Sequence, residues 1–167
     1  ESASSLVGSE MCIRDRINSA WRPNMTELKQ PTVAEKLEIS ELLSKSAYAL
    51  DHREIDLLKS CFAVEATFTL RIADGDLIGP FEPRTGIMQL MTDSMESQTD
   101  QRRHVISNVF FQGQESGGFA VQSNLTLLAT EADQIQLVSA GIYTDVVSVV
   151  DGQWQFVRRH LHLDKAY

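Results

Sequence analysis

The sequence has little cysteine, little proline and no long apolar run. Its 167 residues include two cysteines and four prolines. Cys12 and Cys61 cannot form the disulfide framework of a small secreted domain, and their spacing matches no zinc site. No stretch approaches the ~20 apolar residues that cross a bilayer, so we expect neither a membrane span nor a membrane partner. These absences predict a cytoplasmic protein.

An excess of positive charge is also absent. Lys and Arg number 15 against 23 Asp and Glu, which gives a formal net charge of −8. Nucleic-acid phosphates are bound by clustered Lys and Arg, so the composition argues against a nucleic-acid partner. An acidic substrate would likewise require a local basic patch.

The familiar motifs of cofactor chemistry are missing as well. The sequence contains no Walker loop, no GxGxxG after a strand, no HExxH and no GxSxG elbow. We therefore predict neither a cofactor nor a metal ion for this chain. Any chemistry must come from ordinary polar side chains placed on an apolar pocket.

The beginning of the chain looks foreign to the rest. Leu6 to Arg16, LVGSEMCIRDR, resembles the translation of a transposase-type sequencing-library adapter. We expect residues 1–24 to be a non-native leader, disordered or loosely attached, and Met25 to be the native start. Residues 25–167 then form a single domain, and Cys61 is its only cysteine.

Helical patterns fill the front of this domain. Thr32 and Glu35 form a capping-box pattern at the start of a predicted helix over 32–50. A short second helix follows the break after Asp51, so the two helices form a hairpin with Asp51 at its turn. Alternating residues predict a strand over 66–72, and apolar spacing predicts a third helix around 87–95, whose Met stripe we assign to the core.

The last third of the chain is extended. Four long strands are predicted over 103–113, 119–130, 134–150 and 153–163, and Asp151-Gly152 is a strong hairpin signal. Helices in front of a meander of long strands indicate an α+β fold with an antiparallel sheet.

Two residues are the strongest candidates for chemistry. Asp51 ends the first helix, where it is either a simple helix-terminal cap or a carboxylate at the mouth of a pocket. His104 shares strand parity with Ile106, Asn108 and Phe110, so all four are expected to face a cavity together. Histidine ordinarily changes charge near neutral pH and can transfer a proton, although a purely structural histidine remains the alternative.

Other polar residues lie on neighbouring strands. Ser123 and Asn124 must point to opposite faces, and a buried Tyr143 would seek a partner for its hydroxyl. His160 and His162 share a face on the last strand and could chelate a metal, but no third ligand is evident from spacing.

Several stretches together resemble a known family. In order they are YALDHREIDLLKSCF, EATFTL, RRHVISNVFF, AVQSNLTLLAT and AGIYTDVVSVVDGQWQFVRRHLHLD. Over residues 33–164 the chain resembles the SnoaL-like branch of the nuclear transport factor 2-like superfamily. Its C-terminal part is also similar to the β subunits of aromatic-ring-hydroxylating dioxygenases. The resemblance implies a cone: a strongly curved, mostly antiparallel sheet wraps a pocket that about three N-terminal helices close.

The resemblance also implies a site. In scytalone dehydratase, a catalytic relative, a Tyr and an Asp at the end of the first helix act with two histidines. The Asp falls on Asp51 and the first His on His104, whereas Ser123 stands where the second His is expected. Tyr48, Asn108 and Tyr143 would then position a carbonyl oxygen.

Three functions follow as expectations. The first is a cofactor-free lyase, isomerase or cyclase, expected as a homodimer, that acts on a small, largely apolar carbonyl compound. The second is a non-catalytic β-subunit-like scaffold, which would form a trimer of this chain and bind a dioxygenase α subunit. The third is a non-catalytic binder of small molecules, since a fold does not fix a function.

Overall fold

The computed structural model describes residues 28–166, and its helices close one side of the molecule. The helices are α1 (Val33–His52), α2 (Ile55–Ser60) and α3 (Arg84–Glu96). The predicted capping box starts α1, since Thr32 Oγ1 accepts from the backbone N–H of Glu35 at 3.2 Å. None of the described helices is long and apolar enough to cross a membrane. The leader predicted for residues 1–24 lies outside the described residues.

A single curved sheet of six strands forms the rest. The strands are β1 (Phe62–Ile72), β2 (Ile78–Phe81), β3 (Gln101–Glu115), β4 (Gly118–Glu131), β5 (Gln134–Val150) and β6 (Gln153–Leu163). They lie in the order β2-β1-β6-β5-β4-β3. All neighbours are antiparallel except β1 and β6, which are parallel. The predicted α+β class, with a curved and mostly antiparallel sheet behind N-terminal helices, is confirmed.

Two features of the sheet differ from the sequence prediction. β1 begins at Phe62 rather than near residue 66, because a register shift against β6 between Phe62 and Thr67 breaks the alternation there. Strand β2 was not predicted at all. It contains the Gly79-Pro80 pair, which in a sequence predicts a break in the strand. Proline is tolerated here because β2 is an edge strand.

The core lies between the helices and the inner face of the sheet. Buried residues of α1 and α2, such as Ile39, Leu43 and Leu58, pack against Phe62 and Phe156. The rings of Phe62 and Phe156 lie 5.1 Å apart between their centroids. The C-terminal end of α1 also contacts β3 directly, since Gln101 Nε2 donates to Asp51 O at 2.8 Å, and this contact helps to position the site described below.

Gly141 on β5 is predicted to be sensitive to any side chain. A Cβ atom there would lie 2.4 Å from the carbonyl oxygen of His162 on β6, which is backbone and cannot rotate away. We expect Gly141→Ala to lower the free energy of unfolding by roughly 1–3 kcal/mol, measured by urea denaturation. In Gly86→Ala the new methyl group meets no atom closer than 4.0 Å. That variant should keep its stability or gain up to ~1 kcal/mol, and equal losses in the two variants would contradict the close approach.

Candidate functional site

The described chain encloses a cavity of about 130 Å³ between α2, α3 and the inner face of the sheet. Most of its wall is apolar and comes from Leu and Phe residues of α1, α2, β1 and β6 together with Met91 and Met95 of α3. The predicted Met stripe is thus both core and cavity wall. Six polar residues also line it: Ser94, Gln98, Arg102, His104, Tyr143 and Arg159.

The first polar feature of the wall is a carboxylate–imidazole pair. Asp51 lies in the last turn of α1, and His104 lies near the start of β3. Asp51 Oδ1 lies 2.6 Å from His104 Nδ1, and both carboxylate oxygens accept from the His104 backbone N–H at 3.1 Å. The side chains are 8% and 13% exposed. The aspartate therefore holds the histidine at its ring and at its backbone.

This geometry fixes the protonation pattern of the ring. An ionised carboxylate can only accept hydrogen bonds, so Nδ1 of His104 carries the proton that it donates to Asp51. In the neutral ring the other nitrogen, Nε2, then has a free electron pair and can act as a base. Asp51 is not the cap of α2, because the N-cap residue of that helix is Glu54. The Asp51 carboxylate contacts His104 instead.

A buried ion pair forms the second polar feature. Arg159 of β6 donates from Nε and Nη2 to the two carboxylate oxygens of Asp145 on β5, both at 2.9 Å. The Arg159 and Asp145 side chains are 4% and 1% exposed. The guanidinium carbon also lies 3.8 Å from the ring centroid of Phe156 and 4.3 Å from that of Tyr143. Arg159 is therefore held on three sides at the cavity wall.

Burial and mutual attraction have opposite effects on the pKa values of Arg159 and Asp145. Burial alone would lower the pKa of Arg159, but the charge and hydrogen bonds of Asp145 raise it above its usual value. Burial raises the pKa of Asp145, and its contacts with Arg159 oppose that rise. Because both carboxylate oxygens accept N–H groups in a bidentate arrangement, the pair is ionised.

Some predicted site residues lie at the cavity and others beside it. Tyr143 lines it and is buried, with 4% of its surface exposed. Tyr48 and Ile106 instead lie in a separate outer groove between α1 and β3, which Asp51 and His104 also line. Tyr48 is half-exposed and stacks on His52 at 3.9 Å between ring centroids. His104 lines both the cavity and this groove, whereas Asp51 lines the groove alone.

The expectation that Asn108 and Phe110 face the cavity with His104 is wrong. The pairing of β3 with β4 shifts register between Ser107 and Phe110, and Asn108 has φ 50°. Such a bulge adds one residue and reverses the faces beyond it. Phe110 is consequently 59% exposed, whereas Val109 packs on the core.

Ser123 points inward on β4, directly opposite Tyr143 on β5. Its side chain is buried, and within residues 28–166 its Oγ has no hydrogen-bond partner. Asn124 is exposed on the other face, as alternation requires.

Ser123→Ala is predicted to leave stability unchanged or to raise it by up to ~1 kcal/mol, because it removes a buried hydroxyl that has no partner. Ser46→Ala is the matched control, since the equally buried Ser46 Oγ donates to Leu43 O at 2.8 Å and accepts from Arg159. It should lose about 1 kcal/mol in urea unfolding. A loss in Ser123→Ala as large as in Ser46→Ala would show that Ser123 has a structural partner.

The His160 and His162 pair is engaged in other contacts. His160 Nδ1 lies 2.8 Å from Thr69 Oγ1, and His162 Nε2 lies 2.9 Å from Ala73 O. Burial, and then the neighbouring His162 and Arg71, lower the pKa of His160. In the part of the chain that the structure describes, no three His, Cys, Asp or Glu side chains are grouped to hold a metal ion.

The sequence analysis did not place Arg102, Arg159 or Asp145 at the site, although Arg158 and Arg159 were expected to make salt bridges or a subunit contact. A signal for Arg159 and Asp145 was present, because Arg159 shares parity with the inward Leu161 and Leu163, and Asp145 shares parity with Tyr143. A charged residue at an inward position on each of two neighbouring strands predicts a buried pair. Arg102 shares parity with His104, but it precedes residue 103, where this strand was predicted to begin.

Comparisons with known proteins agree with this architecture. A SnoaL-like domain family profile matches residues 31–160. A cystatin-like fold protein of unknown function from Nostoc punctiforme is 20% identical, with TM-score 0.68, over 81% of this chain and 95% of that one. ActVI-ORFA from Streptomyces coelicolor is 20% identical, with TM-score 0.66, over 77% and 97%. The benzoate 1,2-dioxygenase β subunit from Burkholderia mallei is 18% identical, with TM-score 0.66, over 81% and 93%. No curated protein matches the chain.

Proposed function

The chain belongs to the SnoaL-like domain family, and on that premise we propose that it is a cofactor-free proton-transfer enzyme of the lyase, isomerase or cyclase type. Its substrate is a small, largely apolar carbonyl compound that binds in the cavity. His104 is the general acid and base, and Asp51 orients it. Tyr143 positions the carbonyl oxygen at the wall opposite the helices.

The observation that carries this proposal is the contact between Asp51 Oδ1 and His104 Nδ1. At 2.6 Å, with both side chains largely buried, it is a short charge-assisted hydrogen bond. It leaves Nε2 of a cavity-lining histidine as the base. Removal of a proton next to a carbonyl needs such a base, together with a donor for the developing oxyanion.

Deuterium exchange tests the proposal without knowledge of the product. Single-ring ketones and aldehydes, both with and without a carboxylate substituent, are incubated with the protein in D2O, and NMR follows the loss of the proton on the carbon next to the carbonyl. We expect at least one compound to exchange at least 100-fold faster than without protein. No exchange above the protein-free rate across the panel would contradict the proposal.

A second candidate function is a non-catalytic scaffold for a dioxygenase α subunit. Its support is the structural likeness to the benzoate 1,2-dioxygenase β subunit, which covers 93% of that chain. Under this alternative the protein alone forms a trimer that binds an α subunit, whereas we expect the enzyme to be a homodimer. Light scattering of the purified protein, alone and with a Rieske-type α subunit, distinguishes the two. Ligand binding without exchange activity would instead indicate a plain binder.

A further inference from the structure

Three basic side chains line the cavity. Arg102, His104 and Arg159 line it, and in the described chain no carboxylate does. Each of the three nevertheless contacts a carboxylate outside the lining. Arg102 Nε lies 3.1 Å from Asp100 Oδ1, and the other two groups contact Asp51 and Asp145 at 2.6–2.9 Å. Among the described residues, two guanidinium groups and no carboxylate thus line the cavity, although the whole chain carries a net charge of −8.

Arg159 also retains donors for a ligand. A guanidinium has five N–H groups. Within residues 28–166 its hydrogen bonds use Nε and Nη2 toward Asp145 and a longer Nη1 contact of 3.4 Å to Ser46 Oγ. These contacts account for three N–H groups. The remaining N–H groups belong to a planar fork that suits a group with two oxygens.

The size of the cavity limits what can bind there. A dry, apolar engineered cavity of about 150 Å³ in another protein holds benzene. The volume of about 130 Å³ here suits one small ring with a short substituent rather than a fused polycyclic compound. Leu161 and Met91 belong to the apolar wall that would contact such a ring.

From these observations we propose that the ligand is a single-ring carboxylate whose anionic group binds at the Arg102 and Arg159 side of the cavity. This inference rests on the proposed function in that it names the substrate class of the same site. The carboxylate would anchor the ring while His104 acts on a carbon elsewhere on it. The basic patch that an acidic substrate requires is thus built from residues far apart in sequence.

Calorimetric titration of the whole protein with benzoate and benzamide tests the inference. The two probes have nearly the same shape, but only benzoate is charged at pH 7.5. We expect benzoate to bind at least tenfold more tightly than benzamide. Equal binding, tighter binding of benzamide, or no binding of either probe would overturn the proposal.

Two variants locate the binding. Arg102→Gln should weaken benzoate at least fivefold and leave benzamide unchanged, whereas Arg103→Gln should change neither, because Arg103 lines the outer groove and not the cavity. An equal effect of both variants, or no effect of Arg102→Gln, would overturn the assignment. We use Arg102 because an Arg159 variant would leave Asp145 buried without a partner.

This measurement separates the inference from the proposed enzyme activity. Benzoate binding involves no turnover, so a preference for benzoate in a protein that exchanges no protons would retain the ligand class and reject the enzyme. Exchange activity on neutral ketones without any preference for benzoate would retain the enzyme and reject the ligand class.

Discussion

Replacing His104 with glutamine is expected to lower kcat/KM for a proton-transfer substrate by about 10²–10⁴-fold, the usual contribution of one general acid or base. Glutamine has nearly the same reach and can still donate to Asp51, but its amide is neither a general acid nor a general base near neutral pH. The fold should persist, because the Asp51 contact to the backbone N–H of residue 104 does not depend on the side chain. Steady-state kinetics on the compound found by deuterium exchange measures the effect.

His160→Gln is the matched control for this variant. His160 lies on β6, contacts Thr69 and does not line the cavity. Its kcat/KM should stay within about twofold of the unaltered protein. A loss below threefold in His104→Gln, or equal losses in the two variants, would remove His104 from the mechanism.

Replacing Arg159 with methionine is expected to lower the free energy of unfolding by about 3–5 kcal/mol. The substitution leaves Asp145, which is 1% exposed, as a buried charge without its partner. Urea denaturation gives the value, and total stabilities of about 5–15 kcal/mol leave room to measure it. Joint replacement in Arg159→Met with Asp145→Leu should recover most of the loss, because a buried pair can be exchanged for apolar residues at little cost.

Arg158→Met is the matched control, one residue earlier on the same strand. Arg158 forms an ion pair with Glu115, but the two side chains are 49% and 41% exposed. Surface pairs contribute about 0–1 kcal/mol, so this variant should remain close to the unaltered protein. Equal losses in the two arginine variants would contradict the role of burial.

The local sequence patterns that predict the helices and hairpins are strong in this chain. The capping box at Thr32 set the start of α1, and the Asp151-Gly152 pair set the hairpin between β5 and β6. Both signals depend on residues within a few positions of each other. Strand β2 had no such signal, because a short edge strand with a Gly-Pro pair has little alternation to detect.

The site was only partly predictable for a physical reason. The pairing of Asp51 with His104 came from the family resemblance, and the structure brings the two side chains into contact. Alternation along β3 then misplaced Asn108 and Phe110, because a bulge reverses the faces of a strand and leaves little trace in the sequence. Arg159 and Asp145 were missed as site residues because their contact joins two separate strands, β5 and β6, and depends on the register between them.

The most direct test of the account is a structure of the protein with a bound compound that undergoes exchange. The account predicts that the carbon that loses its proton lies about 3–3.5 Å from His104 Nε2, the distance of a productive contact. His104 Nδ1 should still contact Asp51. A compound bound in the cavity with its reacting carbon far from His104, or bound outside the cavity altogether, would contradict the account.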